Sequence, residues 1–232
     1  MKIFSNIYKY NLWGFGSGTG SLKFNNQKYI DFMNDFLKNH TDVSSIIDLG
    51  CGDWQLHKHI NLNNQQYLGI DIVEKVIEVN KKKYGKPKIN FLCKNFLEDK
   101  IPNADLIIVK DVLQHLSDDN IKAFLNNIKN VKYKYLLITN DVSRFNLNYF
   151  DIPNGMYKPL DITKGPYNYT SNILLKYYEK IYLIIFASLL IGILILVKTK
   201  GYKLYILSLI LLIIYGYGIL PQKIVHLIKS KK

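Results

Sequence analysis

Short apolar runs alternate with amphipathic segments between residues 43 and 139. The apolar runs have the length and β-branched content of buried strands, and the segments between them have helical spacing or turn residues. We predict strands over residues 45–49, 66–70, 88–93, 105–109 and 133–139, and helices over 29–37, 73–84 and 118–129. This alternation is typical of an α/β fold, a doubly wound, mostly parallel sheet with helices on both faces.

Two uncharged apolar stretches follow, over residues 181–197 and 204–220. As helices, each would span about 26 Å, slightly less than a hydrocarbon core of about 30 Å. Tyrosines and lysines flank both stretches, as at membrane interfaces. We predict a C-terminal transmembrane helical hairpin that returns the chain to its starting side. In the alternative, residues 180–186 form a last strand of the sheet, and only residues 204–220 cross the membrane.

Charge divides the chain near residue 180. The net charge is +13, yet all acidic residues lie at or before Glu179, and seven lysines follow Lys180. Arg144 is the only arginine, so nucleic acid is an unlikely partner, since nucleic-acid readers favour arginine. The first ten residues lack the apolar core of a signal peptide, and we therefore expect the folded domain to face the cytosol.

The most specific local pattern is a strand that ends in Asp48-Leu-Gly50-Cys-Gly52. Glycines at such a turn let the backbone approach a ligand closely. A dinucleotide-binding loop would have a third glycine at position 55, where this chain has Gln55. At the end of the next strand, Asp71 could accept hydrogen bonds from both hydroxyls of a ribose, or could cap the helix that follows.

These features resemble the class I S-adenosylmethionine-dependent methyltransferases, which have a Rossmann-like fold. Asp48, Gly50 and Gly52 match the first motif of that family, and Asp71 matches its ribose ligand. Residues 104–116, which include Asp111 and His115, resemble the fourth-strand segment of the family. The resemblance covers about residues 12–180.

The resemblance implies S-adenosyl-L-methionine as cofactor and no metal. Residues 1–28 would form an N-terminal segment that acts as a lid, with Trp13 over the sulfonium. Asn95 and Phe96 stand where relatives have an acidic and an apolar residue beside adenine. The full predicted cofactor set is Trp13, Gly18, Asp48, Gly50, Gly52, Asp71, Asn95, Phe96 and Asp111.

Methyl transfer to a hydroxyl or amine also needs a proton acceptor. The candidates are Asp111, His115 and Asp141, and residues 140–170 are a candidate substrate loop with Lys158 where some relatives have arginine. The methyltransferase domain would span residues 29–179, followed by the membrane hairpin and basic tail over 180–232.

The leading hypothesis is methyl transfer at a membrane surface, with the lipid bilayer as a partner. The acceptor is unidentified: a small molecule, a sugar or lipid-linked group, or a protein. The alternatives are a catalytically inactive methyltransferase-fold scaffold and a nucleotide-cofactor oxidoreductase.

Overall fold

A seven-stranded sheet forms the centre of the molecule. The computed structural model describes residues 2–181, 184, 187–188 and 221–230. The strand order is β3-β2-β1-β4-β5-β7-β6, in which the first five strands are parallel and β7 is antiparallel to both of its neighbours. The strands are β1 (Ser45–Leu49), β2 (Gln66–Asp71), β3 (Ile89–Cys93), β4 (Leu106–Lys110), β5 (Tyr135–Val142), β6 (Asn172–Tyr177) and β7 (Gln222–Lys229). The predicted Rossmann-like, mostly parallel sheet is confirmed.

Within residues 2–179, four α-helices accompany the sheet: α1 (Lys2–Tyr10), α2 (Gln27–Asn39), α3 (Glu74–Tyr84) and α4 (Asp118–Ile128). The last three agree closely with the sequence prediction, whereas α1 was not predicted. The connection from β1 to β2, which begins with the turn at Gly50 and Gly52, contains a short 3-10 helix at His57–His59 and no α-helix.

Apolar side chains cover both faces of the sheet. On β4, Ile107 and Val109 pack on one face with α4, while Leu106 and Ile108 pack on the other with α2. Because successive side chains of a strand point to opposite faces, an uninterrupted apolar strand such as β4 requires cover on both sides. The helices supply that cover and leave the strand ends free to form a site.

Strand β7 differs from the sequence prediction, which placed residues 222–229 in a basic tail outside the domain. It pairs with β5 from Tyr135↔Lys229 to Val142↔Gln222, and with β6 on its other side. Val225 and Leu227 are buried in the core. The domain therefore extends beyond residue 179 and includes a strand that follows the long apolar stretch.

The alternative assignment of residues 180–186 to a strand is wrong for the residues that the structure describes there, since 180, 181 and 184 are helical. The sheet is completed by β6 and β7 instead. The predicted hairpin over 181–197 and 204–220 lies, apart from residues 181, 184, 187 and 188, outside the described residues. Within the described part of the chain, no helix is long and apolar enough to cross a bilayer.

Candidate active site

A cavity of about 310 Å³ opens at the carboxyl ends of the parallel strands. Its volume falls at the lower end of the range for ligand sites, about 300 to 1,000 Å³. Open α/β sheets bind ligands at this edge, next to the point where strand order reverses, here between β1 and β4. The predicted residues that line it are Trp13, Gly18, Gly50, Gly52, Asp71, Asn95, Phe96, Asp111, His115 and Asp141.

The turn after β1 brings backbone close to its neighbours. Gly50 and Gly52 have φ of 76° and 53°, in the region that favours glycine. A Cβ atom on Gly52 would lie 2.4 Å from Ser17 Oγ and 2.8 Å from Tyr8 Oη. Both residues are therefore glycines for steric reasons, and the turn forms one wall of the cavity.

Replacing Gly52 by alanine is expected to destabilise the domain by about 2 to 4 kcal/mol, because positive φ adds strain and the new methyl group overlaps Ser17 and Tyr8. The matched control is Gly14→Ala, since Gly14 has φ of 69° but no atom within 4 Å of the added Cβ. Urea unfolding gives the free energy of unfolding of both variants, and the difference between their losses measures the steric part alone. Equal losses in the two variants would contradict the close packing at Gly52.

Asp71, the last residue of β2, is hydrogen-bonded to the turn that follows β1. Its Oδ2 accepts a hydrogen bond from the Gly52 N–H at 3.0 Å, and its Oδ1 accepts one from the Val73 N–H at 3.0 Å. Burial raises the pKa of this carboxyl, although these backbone donors partly oppose the shift. Each oxygen keeps a second lone pair, so the bond to Val73 and a role as ligand are compatible.

Asp48 is the one predicted cofactor residue that does not line the cavity. It is buried behind the turn, where Tyr67 Oη donates to its Oδ2 at 2.5 Å and His57 Nδ1 lies 2.6 Å from the same oxygen. The structure therefore gives Asp48 a positioning role: it fixes the strand end that carries Gly50.

The N-terminal segment covers the cavity, as expected for a lid. Trp13 packs on His115 with ring centroids 4.7 Å apart, and its Nε1 donates to the Gly155 carbonyl at 3.3 Å. Ser17 Oγ donates to Asp53 Oδ1 at 2.8 Å, which ties the lid to the turn after β1. The lid also includes α1, whose Phe4 and Tyr8 line the cavity and were missed from the sequence.

Five charged side chains lie together at the carboxyl edge of the parallel strands, where β4, β5 and β6 end and β7 begins. We call them the Lys223 cluster: Lys110, Asp111, Asp141, Glu179 and Lys223. Lys223 Nζ lies 2.8 Å from Asp111 Oδ1, 3.1 Å from Asp141 Oδ2 and 3.1 Å from Glu179 Oε1. Lys110 pairs with Asp111 Oδ2 and donates to the Gly20 carbonyl. Three carboxylates thus share two lysines in a buried site.

Burial and pairing act in opposite directions on these groups. Burial alone would lower the pKa of Lys223, but the three carboxylates around it raise that pKa well above its usual value. Burial alone would raise the pKa of Asp111, yet Lys110 and Lys223 together lower it. Burial raises the pKa of Glu179, and Lys223 only partly offsets this effect. Asp111 is therefore a fixed anion, and Glu179 binds a proton more readily than a free glutamate.

The three predicted proton acceptors differ in their surroundings. Both oxygens of Asp111 are paired with lysines, so a substrate proton would have to displace an ion pair. The Nδ1 of His115 lies 2.9 Å from the Met156 carbonyl, and burial lowers the pKa of this imidazole. His115 is therefore a neutral ring held between the Trp13 lid and the loop after β5.

The two oxygens of Asp141 differ in their partners. Its Oδ2 receives hydrogen bonds from Gln114 Nε2 at 3.3 Å and Tyr157 Oη at 3.2 Å, in addition to Lys223. Its Oδ1 is buried, and no hydrogen-bond partner is found for it in the described part of the protein. Buried carboxylate oxygens without a donor are rare and costly, and the Asp141 side chain lines the cavity, so Asp141 is the candidate that a ligand would contact.

The loop predicted to bind substrate contributes Tyr157 to the cavity lining, but not Lys158. Lys158 is buried and donates to Asp118 and to the Phe150 carbonyl, so it anchors the loop to the start of α4. Tyr157 next to it lines the cavity. Glu179 and Lys223 were missed because both border the apolar stretch. An acidic residue just before such a stretch, and a lysine in a β-branched run after it, were the only sequence signals.

Residues 46–132, from β1 to the end of the α4 region, match the family model for a methyltransferase domain. Over this stretch the chain is similar to a methyltransferase domain. The match supports the enzyme class predicted from the sequence, an S-adenosylmethionine-dependent methyltransferase.

Solved structures with the same fold include two methyltransferases. The N-methyltransferase NodS from Bradyrhizobium japonicum, in complex with S-adenosyl-L-homocysteine, is 13% identical with a TM-score of 0.51 and covers 67% of this chain and 79% of its own. Human N-acetylserotonin methyltransferase, in complex with S-adenosylmethionine, is 21% identical with a TM-score of 0.50. The alignment covers 63% of this chain and 44% of the human enzyme. The chain thus shares its fold with both.

The methyltransferase domain of a bacterial Hen1 is also similar, at 19% identity and a TM-score of 0.44, over 50% of this chain and 66% of that domain. The chain thus spans about two thirds of the Hen1 domain and less than half of the human enzyme. A search of curated proteins found no match.

Proposed function

We propose that this methyltransferase transfers the methyl group of S-adenosylmethionine to a nitrogen or oxygen nucleophile at a membrane surface, with its domain on the cytosolic side. The observation that carries the proposal is the division of one cavity into two halves. Asp71, Asn95 and Phe96 lie over β2 and β3, and the Lys223 cluster lies over β4, β5 and β7.

The first half fits an adenosyl group. Asp71 would accept hydrogen bonds from the ribose hydroxyls, and the Gly50 and Gly52 turn allows the close approach of a ligand. Phe96 offers an apolar surface beside Asn95 for a base. The cofactor supplies a methyl group already activated by a positive sulfonium, and the excess of carboxylates in the Lys223 cluster suits that charge.

The second half fits a nucleophile that carries a proton. Asp141, whose side chain lines the cavity, would accept the hydrogen bond of an N–H or O–H group, and then its proton as the new bond to carbon forms. Lys223 and Tyr157 hold Oδ2 of Asp141 in place. With both ligands bound, the Trp13 lid would exclude water from the reacting groups, which strengthens these charges.

The membrane location rests on the two uncharged stretches and on their attachment to the sheet. Tyr177 of β6 pairs with Lys223 of β7, so the two ends of the intervening segment leave from neighbouring strands. A segment whose ends are fixed to one domain on one side crosses a bilayer an even number of times, which fits a hairpin. In sealed vesicles, protease added on the cytosolic side should digest the domain and leave only a small fragment from the turn side.

Replacing Asp71 by alanine is expected to weaken S-adenosylhomocysteine binding by about 10- to 150-fold, because hydrogen bonds to a charged group contribute about 1.5 to 3 kcal/mol. Isothermal titration of the full chain measures this loss. The control is Asp119→Asn on α4, whose side chain is 94% exposed and pairs only with Lys122. Unchanged affinity in Asp71→Ala, with the fold intact, would remove Asp71 from the cofactor site.

Turnover separates the proposal from the inactive-scaffold alternative. The full chain should transfer labelled methyl groups to a component of a membrane extract, and Asp141→Asn should reduce that transfer while S-adenosylhomocysteine affinity is kept. Binding of S-adenosylhomocysteine without any transfer to membrane or cytosolic fractions would favour the scaffold.

A further inference from the structure

Exposed apolar side chains lie on two segments that contact residues of the cavity lining, and we call these segments the cavity mouth: residues 10–24 of the lid and residues 145–156 of the loop after β5. The first segment includes the lining residue Trp13, and in the second the Met156 carbonyl lies 2.9 Å from Nδ1 of the lining residue His115. The exposed members are Tyr10, Leu12, Phe15, Phe24, Phe145, Tyr149, Phe150 and Met156. The two segments contact each other, since Trp13 Nε1 donates to the Gly155 carbonyl. Exposed apolar groups on adjoining segments mark an interaction surface.

The long apolar stretch is attached at the same place. Strand β6 ends at Tyr177 and β7 begins at Gln222, both at the carboxyl edge of the parallel strands. The Ile181 N–H donates to Asn25 Oδ1, and Lys180 Nζ lies 5.2 Å from the centre of the Phe24 ring. The start of the apolar stretch therefore contacts the lid, and its surroundings are those of the cavity mouth.

The polar end of the cavity lies at this attachment. Glu179 comes two residues before Ile181, and Lys223 is the second residue of β7, and both line the cavity. Asp141, which pairs with Lys223, also lines the cavity. A molecule that enters the cavity from the cavity mouth and reaches Asp141 would place its apolar part beside the exposed apolar side chains.

We infer that the methyl acceptor is the headgroup of a membrane lipid that carries an amine or a hydroxyl, and that the cavity mouth lies against the bilayer to receive it. The inference rests on the proposed function. Phenylalanine and leucine side chains favour the membrane interface, and the sequence of the uncharged stretches begins beside the lid at Ile181. The acyl chains stay in the bilayer while the headgroup reaches Asp141.

The transfer balances without any further reactant. A bond forms between the headgroup nitrogen or oxygen and the methyl carbon as the carbon–sulfur bond breaks, and the sulfonium becomes a neutral thioether. The proton of the amine or hydroxyl passes to Asp141 and then to water. The product is a methylated lipid, which remains in the membrane.

The test uses the full chain in vesicles and cofactor labelled in its methyl group. Vesicles contain phosphatidylcholine alone, which has no protic nucleophile in its headgroup, or phosphatidylcholine with phosphatidylethanolamine or with phosphatidylglycerol. We expect label in the extracted lipid from at least one mixed vesicle, and none from phosphatidylcholine alone. Soluble phosphoethanolamine and glycerol phosphate should be labelled far more slowly, and equal labelling would overturn the role of the bilayer.

Variants of the cavity mouth give a second readout. Phe15→Gln with Phe150→Gln should reduce lipid labelling at least about tenfold, because two apolar side chains no longer enter the interface, while S-adenosylhomocysteine affinity is unchanged. The matched control is Val79→Gln with Ile173→Gln, two exposed apolar residues outside the two segments of the cavity mouth. Equal effects in both pairs would overturn the docking surface.

Different results would overturn the lipid inference and the proposed methyl transfer. If the chain binds S-adenosylhomocysteine and labels a protein or a soluble extract component but no vesicle lipid, the lipid inference is overturned and the proposed methyl transfer stands. If the chain does not bind S-adenosylhomocysteine, the proposed function itself is overturned.

Discussion

Replacing Lys223 by methionine is expected to destabilise the domain by about 3 to 5 kcal/mol, because it leaves buried carboxylates without their shared partner. Lys223 is 1% exposed and contacts Asp111, Asp141 and Glu179. The control is Lys176→Met on the neighbouring strand β6, where the lysine is exposed. Chemical denaturation of both variants in the full chain measures the difference.

The loss of stability in the Lys223→Met variant should depend on pH, in a direction set by the protonation of Glu179. Burial already raises the pKa of Glu179, and removal of Lys223 raises it further, so the folded variant binds protons more tightly than the unfolded one. The stability of Lys223→Met should therefore fall as pH rises from mildly acidic to neutral. Adding Glu179→Gln should recover part of the loss. A pH-independent loss, or no recovery, would contradict the charge account of the cluster.

A chain truncated after Lys180 is expected not to fold, whereas a chain with residues 182–220 replaced by a short flexible linker should fold and bind S-adenosylhomocysteine. Truncation removes β7, which pairs with β5 over eight residues and separates β5 from β6. The linker can be short because Tyr177 and Lys223 are paired neighbours, and hairpin loops need only about two to five residues.

Cooperative thermal unfolding and titration with S-adenosylhomocysteine distinguish the two chains. The loss of β7 exposes the backbone edge of β5, so the truncated chain should also aggregate. A truncated chain that unfolds cooperatively and binds S-adenosylhomocysteine as the linker chain does would show that β7 is dispensable.

Local patterns were sufficient for β1 to β5 and for α2 to α4. Each of these strands is a compact apolar run between turn residues, and each helix has a clear apolar face, so nearby residues alone indicate the element. Strand β7 has a similar pattern, but it follows a long apolar stretch and contains two lysines, so it was taken for a basic tail. Its identity depends on partners in β5 and β6, which a local pattern does not show.

The cavity was predictable on the side built from strand ends. Asp71, Asn95 and Asp111 follow strands directly, and the topology of a parallel sheet brings them to one edge. Asp48 was assigned to the cofactor because it precedes the glycines, but side chains of a strand alternate, and Asp48 shares the face of Ile46 with Tyr67. The Lys223 cluster joins residues more than 100 positions apart, and only the folded chain brings them together.

The position of β7 makes the order of synthesis part of how the charged site is completed. Residues 222–229 leave the ribosome only after the whole apolar stretch, and until then β5 keeps an open edge while Asp111 and Asp141 lack the charge of Lys223. N-terminal parts of a chain begin to fold during synthesis, so the first five strands would wait for the strand that completes them. A nascent chain that did not bring β7 back beside β5 would keep an open sheet edge and an incomplete Lys223 cluster. Closure of the sheet and completion of the charged cluster would then occur in a single step.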